Sequence, residues 1–224
     1  MIAIIGSGSH LVPAILNTRP NENYLLIGRS DISKALYENF SLRWKYSNYL
    51  DFEQTSENIR ASGADQIIWL GSPFFRDFLV NQETVVVKSA LETGVHFPIE
   101  VVKRILPTMI QNRYGRFIFI GSHLAKLGDR GSILYSLTKS AQAALSRGIA
   151  LEYGRFNIES NVLSLGALES GFAQDLSEAR KVEYLERTAR DSLISPDEVA
   201  RAIHSLLQGS GISGQEIQID AGFR

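Results

Sequence analysis

The 224-residue chain contains no cysteine, which excludes disulfides, thiolate nucleophiles and cysteine-held metals. Its four histidines stand at 10, 96, 123 and 204, without the spacing that gathers ligands round an ion. No apolar run approaches the roughly 20 residues needed to span a bilayer. Neither sign of charge is in surplus, with 23 Lys+Arg against 24 Asp+Glu and a formal net charge of −1. That balance offers no global attraction to nucleic acid or to an anionic membrane. The opening Met1-Ile-Ala-Ile-Ile-Gly6 lacks a basic segment and turns glycine-rich too early for a signal peptide. The expectation is a cytoplasmic protein with no metal, no nucleic-acid partner and no membrane partner. The rest of the composition is ordinary for a globular chain, 44% hydrophobic and 21% charged. The length suits one domain over residues 1–224 with a sizeable core.

Short β-rich apolar runs alternate with helical periodicity along the whole chain. Strands are predicted at residues 2–5, 23–27, 47–50, 64–70, 116–121, 157–165 and 214–220. Between them, helical patterns cover about 11–17, 31–43, 56–61, 84–112, 135–153, 171–194 and 196–207. In the 31–43 segment Ile32, Leu36 and Phe40 repeat at spacing four, a core-facing stripe. The 84–112 segment is expected to break near Gly94, because Pro98 suits the first turn of a new helix. Phe74, Phe75 and Phe78 read as an apolar packing cluster. Ser195-Pro-Asp-Glu198 is a capping box with proline at the first helical position. Strands alternating with helices predict an α/β fold, a Rossmann-type doubly wound parallel sheet of about seven strands covered by helices on both faces.

Two stretches carry chemistry. The first is Gly6-Ser7-Gly8-Ser9-His10-Leu11, which follows a buried strand and opens a helix. Glycines there let the backbone approach a pyrophosphate, and the helix start offers free N–H groups. Leu11 stands where the third glycine of G-x-G-x-x-G is expected. At the end of the second strand, where such folds meet the adenosine ribose, no acidic residue is present. Arg29 and Ser30 stand there instead and suit the 2′-phosphate of NADP(H), favoured here over NAD(H). The second stretch runs from Ser122, at the end of the apolar strand 116–121, to Tyr135 and Lys139. The last two are four apart and share a helix face. The ammonium is expected to lower the phenol's pKa and fit it for acid–base work, with the serine hydroxyl holding a carbonyl or alcohol oxygen beside it.

On these residues the chain resembles the short-chain dehydrogenase/reductase family, compact single-domain type, and among its members the 3-oxoacyl-ACP reductases. The similarity is carried by Gly6, Gly115–Ser122, Tyr135-Ser-Leu-Thr-Lys139, Asn161–Gly166, Pro196–Ala200 and Gly214–Gly222. The resemblance implies that Tyr135 is the general acid or base, that Lys139 binds the nicotinamide ribose and that Ser122 orients the substrate oxygen. It places Gly166, Leu168 and Ser170 on the carboxamide and pyrophosphate side of the cofactor. Gly6, Ser7, Gly8, His10, Leu11, Asp51 and Gly71 are its other cofactor-binding positions. It also implies a homodimer or homotetramer through the helices near 98–112 and 135–153.

The chain departs from the family's pattern on the cofactor side. Ile5 replaces the threonine of the first turn, and His10 and Val12 replace glycines, where a side chain would crowd a pyrophosphate or, at His10, donate a hydrogen bond to it. Trp69-Leu70-Gly71-Ser72 replaces Asn-Asn-Ala-Gly. The asparagine that extends the proton relay falls near Gly94, where a glycine leaves room for a water. The leading expectation is an NADP(H)-dependent oxidoreductase that reduces a carbonyl. The alternatives are a protein of this fold that binds a ligand or partner without redox turnover, or one that does non-redox acid–base chemistry. Phe74, Phe75, Leu124, Leu168 and Phe172, with few charges beside them, lean towards an apolar or acyl-type substrate.

Overall fold

The computed structural model describes residues 1–28, 42–46, 51–71, 74, 76–170, 177–209 and 211–223, with the backbone alone for 42–46. Seven parallel strands form one sheet in the order β3-β2-β1-β4-β5-β6-β7. They are β1 (Ile2–Ile5), β2 (Tyr24–Gly28), β3 (Leu42–Tyr46), β4 (Gln66–Trp69), β5 (Gly115–Ser122), β6 (Ile158–Leu165) and β7 (Glu216–Ile219). The winding reverses between β1 and β4, which pair directly. A crevice opens at the carboxyl ends of strands on either side of such a reversal.

Both faces of the central strands are apolar because each is covered. Ile2, Ile4, Leu26, Ile118 and Ile120 point to one side, onto helices α1 (Val12–Thr18) and α8 (Pro196–Leu207). Ala3, Ile5, Trp69, Phe117 and Phe119 point to the other. There they meet α2 (Phe52–Ser62), α4 (Phe97–Asn112) and α6 (Ile133–Tyr153). The shorter α3 (Thr84–Leu91), α5 (Leu124–Leu127) and α7 (Glu178–Glu186) complete the helices that are described. Among the described residues no helix is long and apolar enough to cross a membrane. The capping box at Ser195 and Glu198 forms in full.

Several predicted boundaries move. The helix predicted to reach Arg43 does not: Leu42–Tyr46 is a strand, paired in register with Tyr24–Gly28. Its Leu-Arg-Trp-Lys-Tyr alternation has the period of a strand, and aromatic residues at that period favour a pleat over a helix. The stripe at Ile32, Leu36 and Phe40 and the strand predicted at 47–50 lie outside the described residues. Helix α2 starts four residues earlier than predicted, because Asp51 caps it by accepting the Gln54 N–H at 2.8 Å. Near Gly94 there is no break. A single π turn, Glu92–His96, joins α3 to α4 and absorbs one extra residue without ending the helix. The segment predicted as one helix from 171 to 194 is helical only over α7 in its described part.

Candidate active site

Ser122 ends β5 and is buried. The loop beyond it returns quickly to α6, and hydroxyls one turn apart on that helix hold it. Ser132 accepts the Asp129 N–H, Ser136 donates to the Leu124 carbonyl at 2.9 Å, and Ser140 donates to the Ala125 carbonyl at 3.2 Å. Residues at spacing four line one side of a helix, so these serines fasten the loop along α6. The neighbouring side presents Tyr135 and Lys139. The Ser122 hydroxyl lies near enough to the Tyr135 phenol to favour its ionised form, and the Phe74 and Tyr135 rings meet at a steep angle with centroids 4.8 Å apart.

Lys139 is buried, with Nζ donating to the Ile120 carbonyl at 2.6 Å and lying 5.7 Å from the Tyr135 ring centroid. Among the described residues no carboxylate pairs with it. Loss of water around the ammonium brings its pKa down to about 7. The expected lowering of the phenol is not found: burial raises the Tyr135 pKa, and the Ser122 hydroxyl only opposes the rise. An ammonium drawn to a backbone carbonyl, and itself only about half protonated at pH 7, does not offset the desolvation of a phenolate. The pair is a proton-holding unit in which both groups are pushed towards their neutral forms.

These residues open on a cavity of about 740 Å³. Its lining brings together Ser122, Tyr135 and Lys139 with His10, Leu11, Gly166, Leu168 and Ser170 from the predicted set. Gly6, Ser7, Gly8, Asp51 and Gly71 stand outside that lining. Gly6 has a positive φ of 96°, and a Cβ on it would lie 2.7 Å from the Gly71 nitrogen. Both glycines therefore serve the close approach of β1 to the end of β4. Ser7 is fully buried and Asp51 caps α2. Arg29 and Ser30 lie outside the described residues.

Of the first-turn substitutions, Val12 stands outside the cavity lining and His10 within it. Val12 is fully buried among α1 and α8 residues, and His10 is exposed at the rim. At Gly94 the expected room for a water is taken, since a Cβ there would fall 2.6 Å from the Thr138 Cβ. The Gly94 carbonyl accepts the Gln142 amide at 3.0 Å.

The loop after β6 is held from above. Ala167 donates its N–H to the Tyr184 hydroxyl of α7 at 2.7 Å. A Cβ on Gly166 would lie 2.5 Å from that hydroxyl and 2.9 Å from the Asp220 Cα, so only glycine allows the approach. Leu168 bridges to Ile194. The Ser170 hydroxyl is buried with no hydrogen-bond partner among the described residues.

Sequence reading singled out none of three further participants. Phe74, read as packing and as facing an apolar substrate, lies against the phenol, while Phe78 is 58% exposed; Phe75 is outside the described residues. His123, Tyr184 and Phe223 also line the cavity. Adjacency to Ser122 could have flagged His123; nothing local marks Tyr184 or Phe223, which only the fold brings near.

A family model described as enoyl-(acyl carrier protein) reductase matches residues 76–224. The chain belongs to the short-chain dehydrogenase/reductase family. It is 28% identical, over 148 residues, to a 3-oxoacyl-(acyl-carrier-protein) reductase of Buchnera aphidicola from Acyrthosiphon pisum. That match covers 65% of this chain and 61% of the relative, so the chain spans less than two thirds of that relative's length. A namesake from the Baizongia pistaciae strain is 25% identical over 97% of this chain and 92% of its own. Among solved structures, a gluconate 5-dehydrogenase from Burkholderia cenocepacia, in complex with NADP and tartrate, superposes with a TM-score of 0.88. It shares 19% identity and covers 99% of this chain and 94% of its own, a likeness of fold. The family model begins at residue 76 and so takes in the Ser122–Lys139 site but not the glycine turn.

Proposed function

We propose that the protein is an NADP(H)-dependent reductase of a carbonyl substrate, with Tyr135 as the general acid and base. The convergence of Ser122, Tyr135 and Lys139 on one cavity carries this reading. Relatives named as 3-oxoacyl-(acyl-carrier-protein) reductases and a fold neighbour solved with NADP support it.

The residues present fit a dinucleotide. In the first turn the Gly6, Ser7 and Ser9 N–H groups are used within the fold, and none of these internal bonds takes up the N–H of Gly8 or His10. Those two are the groups to meet phosphate oxygens. The orphaned Ser170 hydroxyl at the other end of the cavity would take an amide or phosphate oxygen. Arg29 and Ser30, by sequence position, would take the 2′-phosphate.

A bound nicotinamide supplies or accepts the hydride. The protein handles the oxygen and the proton. Ser122 donates a hydrogen bond to the substrate oxygen as negative charge gathers on it, and Tyr135 gives that oxygen its proton, leaving an alcohol and a phenolate. The raised phenol pKa keeps the tyrosine protonated, and so a ready acid, at neutral pH. A Lys139 ammonium with a pKa near 7 can return the proton at that pH.

We infer a homo-oligomer built through α4 and α6. The support is an apolar groove of about 310 Å³ between them, lined by Ile99, Leu106, Ile110, Leu145 and Tyr153.

Titration with NADPH and NADH, followed by nicotinamide fluorescence, tests the reading. NADPH is expected to bind more tightly, and Arg29→Ala to weaken it roughly tenfold, the scale of a charge-assisted phosphate contact, with a smaller effect on NADH. Failure of both to bind at millimolar concentration would favour a non-redox binding role. The departures of the glycine turn speak for that second reading.

A further inference from the structure

Part of the cavity wall is made of rings that the proton transfer does not use. His123 follows β5, Tyr184 belongs to α7 and Phe223 follows β7, yet the three meet in one cluster. Ring centroids are 4.6 Å apart for His123 and Phe223, 4.9 Å for Tyr184 and Phe223, and 5.9 Å for His123 and Tyr184. All three line the same cavity as Ser122 and Tyr135.

The fold builds this cluster at some cost. Ala221 and Gly222 take successive positive φ values of 59° and 70°, a left-handed conformation that costs a residue such as alanine about 1 kcal/mol. Two hydrogen bonds hold the turn: Ala189 N–H to the Ala221 carbonyl at 2.9 Å, and Gly222 N–H to the Asp220 carboxylate at 3.0 Å. The turn sets the Phe223 ring against His123, with the Arg187 guanidinium 4.4 Å from its centroid. Tyr184 is fixed by the Ala167 N–H. His123 is 5% exposed, and its buried Nδ1 has no hydrogen-bond partner among the described residues. A buried orphan nitrogen in a cavity wall calls for a ligand or an ordered water to satisfy it. Tyr184 and Phe223 are only half-buried, so each keeps surface that is not covered by its neighbours.

An aliphatic wall would accept any apolar chain. Aromatic rings add a preference for another ring, in offset or edge-on contact. We propose that His123, Tyr184 and Phe223 form the wall that takes the body of the substrate, and that the substrate is a carbonyl compound with a planar aromatic body. The proposal rests on the reductase reading for the carbonyl, whose place is at Ser122 and Tyr135.

Acetophenone and cyclohexyl methyl ketone share a carbon skeleton and differ in the planarity and π character of the ring and in its conjugation with the carbonyl, a difference that the wall variants below leave constant. By ligand-detected NMR titration acetophenone is expected to bind roughly fivefold tighter, the scale of one aromatic contact. Phe223→Leu, which keeps apolar volume and removes the π face, should bring the ratio below twofold. His123→Leu should act in the same direction and serves if the first variant does not fold. Equal affinities in the native protein, or a preference that survives a folded variant, would overturn the proposal. The experiment reads binding, whereas NADPH oxidation reads the reductase assignment, so either can fail with the other intact.

Discussion

The β1–β4 half of the sheet and the β5–β7 half carry the site in different ways. In the second half the chemistry depends on short local links: Ser122 ends a strand, serines on α6 tie down the loop, and Tyr135 and Lys139 sit one turn apart. In the first half the glycine turn diverges in sequence, but each position still has a physical job. Gly6 lets β1 approach β4, Val12 fills the core, and His10 lines the cavity. A motif is a set of separate spatial requirements, and a chain can meet them without spelling it.

The sharpest test of the comparison is to remove the proposed proton donor from the second half alone. Tyr135→Phe keeps the ring that packs on Phe74 and deletes the hydroxyl that meets Ser122. Turnover should fall by about a thousandfold, within the range for a lost general acid, while NADPH affinity changes far less. Loss of both in equal measure, measured by steady-state kinetics and fluorescence titration, would make the tyrosine a structural residue and erase the division.

The matching test in the first half is Gly6→Ala. The added Cβ would sit 2.7 Å from the Gly71 nitrogen at a φ of 96°, so clash and strain act together. We expect a stability loss of about 3 kcal/mol by urea denaturation, from overpacking plus an incompatible φ. If the variant kept its stability and lost only cofactor binding, the glycine would belong to the ligand and not to the sheet.

The parallel α/β layering and the Ser122–Tyr135–Lys139 triplet were legible because period and spacing are local. The triplet's electrostatics were not. Four residues of spacing suggested that Lys139 lowers the tyrosine pKa, but burial of the site, which no short segment reveals, raises it. The β3 boundary was misread because Leu42 and Arg43 also continue the helical pattern before them. No local signal singles out Tyr184 or Phe223, since their role exists only once α7 and the segment after β7 reach the cavity.

Lys139 offers a test of that hidden electrostatic term. Its folded pKa of about 7 lies below that of an unfolded lysine, about 10.4, so above pH 7 the unfolded chain holds the extra proton. Stability must then rise with pH across this window. The gain between pH 7 and pH 9 should be about 2 kcal/mol, and Lys139→Met should flatten it. Stopping at pH 9 keeps Tyr135 out of the measurement, because its raised value makes stability fall only above the ordinary tyrosine range near pH 10. An unchanged slope in the methionine variant would mean that other groups produce it.

The smallest effect bears on Gly94, where the two halves meet through the π turn. An asparagine there would overlap Thr138, whose Cβ and Cγ2 both lie 2.6 Å from the built Cβ. Gly94→Asn alone should cost about 1–2 kcal/mol. Thr138→Ala clears the Cγ2 and the hydroxyl, so the double variant should recover about half of that loss, a coupling of contacting residues visible in a double-mutant cycle. If the losses simply added, Thr138 would not be what excludes the larger side chain. If the double variant also turned over faster than either single variant, the side chain missing at residue 94 would limit proton flow in the native protein. The geometry argues otherwise, because the Gly94 carbonyl is already satisfied by Gln142 at 3.0 Å and the turn is closed without it.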